Sequence, residues 1–215
     1  MSIKSEIERT ITEYQLRRPL LELLASNLQA QTEQIVSTLE HIDRVYFRAK
    51  EVESFAKKAA ALDESGRRKY ALPLEDIEDQ VAGRLLVFFR RDIDAVNEAL
   101  LRSFNRAEHT RKAPKQHDAF AYESEHFVFV IPPQVLPTGW SELTSRPTTF
   151  EVQVRTLFMH AWAEPEHDIA YKAKVPLTHD EKRKLAWAAS SAWGGDAIFE
   201  QVLDSLAARS RPKDE

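Results

Sequence analysis

From Thr149 to Arg155 the chain alternates without a break, with Phe150, Val152 and Val154 on one side and Thr149, Glu151, Gln153 and Arg155 on the other. A period of two belongs to a half-buried strand and fits no helix. Thr156 follows with a hydroxyl suited to the first free N–H groups of a helix, and Leu157, Ala161, Trp162 and Ile169 recur behind it at roughly helical spacing. A strand that passes straight into a helix points to a mixed helix-and-sheet fold. Its open face presents a carboxylate, an amide and a guanidinium in a row. Such a row suits a polar sheet face packed on other polar groups, and it equally suits a holder for metal or phosphate.

The other segments supply partners for that unit. Residues 6–30 carry Ile7, Ile11, Leu16, Leu20, Leu21, Leu24 and Leu28 as an amphipathic helix that Pro19 is expected to bend or divide. A second helix is expected from Thr32 through Ile35, Leu39 and Ile42 to about Tyr46. Val52, Phe55 and Ala59 then mark a helix stripe, with Arg48 and Lys50 just before it and Lys57 and Lys58 along it. These cations form either a solvated face or a polyphosphate clamp. The run Arg84-Leu-Leu-Val-Phe-Phe-Arg90 reads as a central strand buried on both faces, which puts Asp79 at its entrance.

Asp92 opens a helix with acids in its first turn, and an edge strand is expected after it over 104–109. A basic, mobile loop is expected over Thr110–Asp118. Tyr122, Ser124, His126, Val128 and Val130 then share one face of a strand. Thr178-His-Asp-Glu181 is a capping box, Gly194-Gly195 is expected to interrupt the helix it opens, and Ile198 to Leu206 form a last amphipathic helix.

The 215 residues are 43% hydrophobic and 30% charged, enough for one substantial core and one domain. With no cysteine, disulfides, zinc ribbons and thiol nucleophiles are excluded, and a metal here needs oxygen or imidazole ligands. A net charge of −4 argues against broad attraction to nucleic acid. Neither a signal peptide nor a membrane-spanning window is present, so a soluble, cytoplasmic protein with no membrane partner is expected. There is no internal repeat, P-loop or dinucleotide fingerprint.

Taken in order, Arg48-x-Lys50-x-x-x-Ser54-x-x-x-Lys58, Asp79-x-x-x-x-Arg84, Pro114-Lys115, Tyr122-x-Ser124-x-His126, Glu151-Val-Gln153-Val-Arg155-Thr156 and Tyr171-Lys172 resemble the synthetase domain of the RelA/SpoT family. The resemblance runs from about Arg48 to Lys172 and rests on several motifs in the right order. It implies an α+β fold with a nucleotidyltransferase-like mixed β-sheet of about four to five strands flanked by helices. Residues 1–47 would be a helical scaffold, 48–175 the synthetase core and 176–215 C-terminal helices, all in one compact domain. The activity implied is transfer of the β,γ-diphosphate of ATP to the ribose 3′-hydroxyl of GDP or GTP, giving ppGpp or pppGpp and AMP. On the same resemblance Arg48, Lys50, Ser54, Lys58 and Arg84 contact ATP, and Asp79 and Glu151 hold Mg²⁺. Glu151 also orients or deprotonates the hydroxyl. Lys115, Tyr122 and His126 receive the acceptor, with Gln153 and Arg155 in support.

The chain departs from the family pattern at three places. Ala121 stands before Tyr122 where glycine is common, Glu123 and Glu125 flank Ser124 and add negative charge near a polyphosphate site, and Pro165 is expected to kink the helix after Glu151. His160, Glu164, Glu166 and His167 lack the spacing of a zinc site. His-Asp pairs at His117, His167 and His179 lack the helical domain that a hydrolase of that type needs, which leaves a small stand-alone synthetase. Two rival readings remain. One is a toxin that pyrophosphorylates tRNA 3′ ends or adenosine nucleotides, gripping RNA through Arg67-Arg68-Lys69 and Arg111-Lys112 with Lys115. The other is a non-catalytic nucleotide-binding regulator. Assembly into a homo-oligomer through the terminal helices is a further expectation.

Overall fold

The computed structural model describes residues 3–112, 120, 123–172 and 175–210. Five strands, β1 (Ile42–Ala49), β2 (Val81–Val87), β3 (Arg106–Lys112), β4 (Ser124–Val130) and β5 (Thr149–Thr156), form one sheet in the order β1-β2-β5-β4-β3. Only β2 and β5 are parallel; the other neighbours are antiparallel. The alternating strand β5 thus lies at the centre of the mixed α+β sheet. Around it stand α1 (Ile3–Ile35), α2 (Val52–Ala59), the short α3 (Pro73–Asp76), α4 (Asp92–Ser103), α5 (Leu157–Lys172) and α6 (His179–Ser210).

The pleat of β5 sorts the two faces. Phe150, Val152 and Val154 are fully buried, and register pairs them with Phe129, Phe127 and Glu125 of β4. Tyr14, Leu21, Leu24 and Leu28 of α1 and Val96 and Leu100 of α4 join the same core. Each such fully buried large apolar side chain contributes about 1.5–3 kcal/mol. Phe104 meets the Phe150 ring edge-on at 5.3 Å between centroids. Among the described residues no helix is long and apolar enough to cross a membrane.

Several expected boundaries move. The helix expected over 32–46 is absent: α1 continues to Ile35, and 42–49 are strand β1 with Val45, Phe47 and Ala49 buried in alternation. The helical spacing of Ile35, Leu39 and Ile42 was a coincidence across a turn. Pro19 does not divide α1, because the buried Tyr14, Leu21, Leu24 and Leu28 hold both sides of it to the core. Gly194-Gly195 does not interrupt α6 either; the space where a Cβ of Gly195 would sit is taken by the Phe158 ring. Of the loop expected to be mobile, Thr110–Lys112 belong to β3 and 113–118 lie outside the described residues. The capping box forms, with Glu181 N–H donating to Thr178 Oγ1 at 3.3 Å and Thr178 N–H to Glu181 Oε2 at 2.7 Å.

Gly83, in the middle of β2, lies opposite Phe47 of β1, and a Cβ built there would run into the Phe47 ring. Gly83→Ala is therefore expected to destabilise the protein by about 1–3 kcal/mol in denaturant unfolding. Adding Phe47→Leu should recover part of that loss, and an unchanged Gly83→Ala variant would contradict the packing described.

Candidate active site

On the face of the sheet away from the core, a cavity of about 500 Å³ is lined from every strand. β1 supplies Tyr46 and Arg48, which alternate outward, with Lys50 just beyond its end. The Lys50 N–H donates to Gln80 O at 2.8 Å, continuing the pairing of β1 with β2 by one step. That bond sets Lys50 beside the turn that carries Asp79. The Gln80 side chain, fully buried, donates to Leu74 O at 2.9 Å and Ile77 O at 3.1 Å and stiffens the same turn. From α1, the Tyr14 hydroxyl donates to Lys50 O at 2.7 Å while its ring stacks on Phe55 of α2 at 3.8 Å. Burial raises the Tyr14 pKa well above its ordinary value, so this hydroxyl stays a donor.

One turn apart on α2, Ser54 and Lys58 face the cavity. Lys50 Nζ and Lys58 Nζ both lie 2.7 Å from Asp79 Oδ2. Burial alone would lower the Lys58 pKa, but the Asp79 carboxylate outweighs it and the pKa is raised, keeping the ammonium charged. The other oxygen, Asp79 Oδ1, is buried and has no hydrogen-bond partner.

β5 supplies Glu151, Gln153 and Arg155. Register places Ala82 and Arg84 of β2 on one side and Val128 and His126 of β4 on the other, so the small Ala82 keeps the floor low beside Glu151. Glu151 Oε1 accepts from Gln153 Nε2 at 2.5 Å and lies 3.2 Å from His126 Nδ1. Burial pushes the Glu151 pKa up, yet these two hydrogen bonds and the His126 and Lys58 charges overcome it and bring it down to about 2. The wall opposite comes from α5, seated by Thr156, whose hydroxyl accepts Met159 N–H at 3.2 Å and donates to Asp196 Oδ2 of α6 at 2.7 Å. Glu164 on that wall lies 2.8 Å from Arg84 and 3.2 Å from the buried Arg155.

Arg48, Lys50, Ser54, Lys58, Asp79, Arg84, His126, Glu151, Gln153 and Arg155, expected as site residues, all line this one cavity. Lys115 and Tyr122 lie outside the described residues. Tyr46, Lys112, Glu164, Glu166 and His167 line it too; the sequence points to Lys112 only as an RNA contact, to Glu164, Glu166 and His167 only as acids and an imidazole without zinc-site spacing, and to Tyr46 only as the end of a helix. Tyr46 stands two residues before Arg48 on the same alternation, a signal hidden by taking that segment for a helix. Glu123 and Glu125 do not add bare charge to the site. Glu123 lies 3.1 Å from Arg90, and Glu125, on the core face, lies 2.7 Å from His109 and 3.4 Å from Arg111.

The match to known proteins covers this arrangement. The family model described as the region found in RelA / SpoT proteins matches residues 47–175. The chain belongs to the RelA/SpoT family. A Bacillus subtilis (strain 168) relative, GTP pyrophosphokinase YjbM, is 33% identical over 168 residues, covering 73% of this chain and 75% of that protein. The crystal structure of small alarmone synthetase 1 from Bacillus subtilis superposes with a TM-score of 0.68 at 23% identity, covering 95% of this chain and 99% of the other. The same synthetase bound to its product pppGpp gives 0.65 at 23% identity, over 93% and 97%. Both crystal structures share the mixed α+β fold described above, and the residues matched by the family model include every strand from Phe47 onward.

Glu151 also makes a pH prediction. Its folded pKa, about 2, lies below the ordinary 4.5, so the stability it contributes is present above 4.5 and is lost as pH falls toward 2. Glu151→Gln should therefore flatten the fall in unfolding free energy between those two pH values. An identical acid profile in the variant would contradict the hydrogen-bonded, ionised carboxylate.

Proposed function

We propose that this protein is a pyrophosphokinase that transfers the β,γ-diphosphate of ATP to the ribose 3′-hydroxyl of GDP or GTP, forming ppGpp or pppGpp and AMP. The observation that carries the proposal is the meeting, in one cavity, of Asp79 and Glu151 with Arg48, Lys50, Lys58 and Arg84. Membership of the RelA/SpoT family and likeness to a GTP pyrophosphokinase support it.

The residues fit a divalent cation. Asp79 Oδ1 is a buried carboxylate oxygen with no partner, and Glu151 is held ionised. Among the described residues no three His, Asp or Glu side chains form a cage. Two carboxylates suit Mg²⁺, which keeps waters and takes its remaining ligands from substrate phosphates. Bound there by Asp79 and Glu151, Mg²⁺ would neutralise phosphate charge and orient the diphosphate.

The chain's own groups do the rest. Lys50 and Lys58, now both on Asp79, are placed to turn to the phosphates of ATP, with Arg48 and Arg84 along the same side. Transfer makes a bond from the 3′-oxygen to the β-phosphorus and breaks the bond between that phosphorus and the α,β-bridging oxygen, which leaves with AMP. Positioning and charge neutralisation dominate such a reaction. A carboxylate held as low as Glu151 is a weak base, so its first task is to accept the hydroxyl's hydrogen bond and aim the oxygen. His126 and Gln153 hold Glu151 for that task. On this reading the acceptor occupies the side of the cavity lined by His126 of β4 and Lys112 of β3, Lys115 and Tyr122 keep the acceptor role that the family resemblance gives them, and the domain works as one unit with residues 48–175 as its core. The exposed Trp187, Ile198, Val202 and Leu206 of α6 provide an apolar surface for assembly into an oligomer.

The purified chain, given Mg²⁺ and ATP labelled at the β-phosphate, is expected to label GDP or GTP in preference to ATP or deacylated tRNA. Asp79→Asn and Glu151→Gln should each lower kcat by at least about a hundredfold. Label on tRNA or on an adenosine nucleotide would move the assignment to those acceptors. No transfer to any of them would refute the enzyme and leave a nucleotide binder.

A further inference from the structure

Lys50 and Lys58 reach Asp79 from two different elements, one from just past β1 and one from α2, and a single side chain of α1 touches both elements. No residue of α1 itself lines the catalytic cavity. The chain leaves the sheet at Lys50, whose N–H donates to Gln80 O at 2.8 Å, and the first turn of α2 closes one residue later, with Phe55 N–H donating to Glu51 O at 2.9 Å. The Lys50 carbonyl thus falls between sheet and helix, and it accepts the Tyr14 hydroxyl at 2.7 Å. The ring of the same tyrosine lies flat on Phe55 of α2, with 3.8 Å between centroids and 4° between planes. Both aromatic side chains are fully buried.

One turn further along α1, Arg18 Nη2 donates to Glu51 Oε1 at 2.9 Å. Glu51 is the N-cap residue of α2, in extended backbone, and its side chain makes no cap hydrogen bond to the helix. The first helix therefore grips the Lys50–Glu51 link at two points and α2 at a third. Ser54 and Lys58 ride on α2, so the spacing of the two ammoniums follows from where the tyrosine sets the strand end against that helix. Removing the hydroxyl while keeping the ring would leave the Lys50 carbonyl without this donor, with α2 still stacked.

We propose that Tyr14 is a positioning residue for the phosphate grip, so that docking of α1 and binding of a polyphosphate at Lys50 and Lys58 are energetically coupled. The proposal rests on the assignment of the donor phosphates to these lysines. Coupling of this kind is reciprocal: if the docked helix favours polyphosphate, polyphosphate favours the docked helix by the same factor.

The test is equilibrium binding of inorganic tripolyphosphate to the full chain in Mg²⁺, with hydrogen exchange followed in α1, for wild type, Tyr14→Phe and Leu28→Val. Leu28 is a buried core residue of α1 about 21 Å along the helix from Tyr14, and its variant controls for a merely loosened helix. The expected result is about fivefold weaker binding for Tyr14→Phe and binding within about twofold of wild type for Leu28→Val. Tripolyphosphate should also slow exchange of the amides around Tyr14 in wild type, and less so in Tyr14→Phe. In turnover, KM for ATP should rise by the same fivefold in Tyr14→Phe while KM for the acceptor stays within about twofold. Wild-type affinity in Tyr14→Phe, an equal loss in Leu28→Val, or an equal rise in both KM values would overturn the proposal. A wild-type chain that binds no tripolyphosphate would instead refute the assignment of phosphates to this cavity, and one that binds it without transferring label still decides the coupling.

Discussion

Two ammonium groups share one carboxylate oxygen at the mouth of β2, and the site is built around that concentration of charge. Lys50 Nζ and Lys58 Nζ each stand 2.7 Å from Asp79 Oδ2. Two like charges so close together are costly in a partly buried site, and the shared anion between them is what offsets the repulsion. The arrangement is balanced without substrate and is easily redistributed. A polyphosphate offers the ammoniums many oxygens, and a divalent cation offers the carboxylate a matching charge. On the proposed reading, the lysines that would bind the donor are thus held in place beforehand by the carboxylate that would hold the metal.

Rigid elements keep this exchange local. Asp79 sits on a turn braced by the buried Gln80, and Lys50 is tied by its N–H to Gln80 and by its carbonyl to Tyr14 of α1. The long first helix is therefore more than a cover for the core, since its tyrosine buttresses the strand end that carries Lys50. Across the sheet, Glu151 is fixed by its neighbour Gln153 and by His126 on β4. The parallel pairing of β2 with β5 sets Glu151 opposite Ala82, close to the turn before β2 that carries Asp79, although Asp79 and Glu151 are 72 positions apart in sequence (151 − 79).

Much of this was legible in the residues. Phe150 to Arg155 announced both the strand and its polar row, Thr156 and Thr178 announced helix starts, and the apolar run after Arg84 announced a strand, although that strand spans Val81–Val87 and Phe88 and Phe89 lie beyond its end. In each case a local pattern agrees with the tertiary environment. The failures have local causes too. Residues 32–46 imitate a helix only because Ile35, Leu39 and Ile42 happen to fall at helical intervals; the deciding alternation of Val45, Phe47 and Ala49 needs β2 beside it. Gly195 resembles a helix breaker, but its value is the room it leaves for the Phe158 ring. Glu123 and Glu125 resemble site acids until register and pairing turn Glu125 to the core face and give both of them cationic neighbours. Tertiary contacts such as these have no signature in a single window of sequence.

The central claim is that Asp79 and Glu151 converge on one divalent cation while the lysines move to phosphate. A crystal structure with Mn²⁺ and a non-hydrolysable ATP analogue tests it directly, because anomalous scattering locates the metal. The account predicts a metal bound by both carboxylates, with Lys50 and Lys58 on the analogue's phosphates. A metal bound away from either acid, or lysines still resting on Asp79 with the analogue in place, would contradict it.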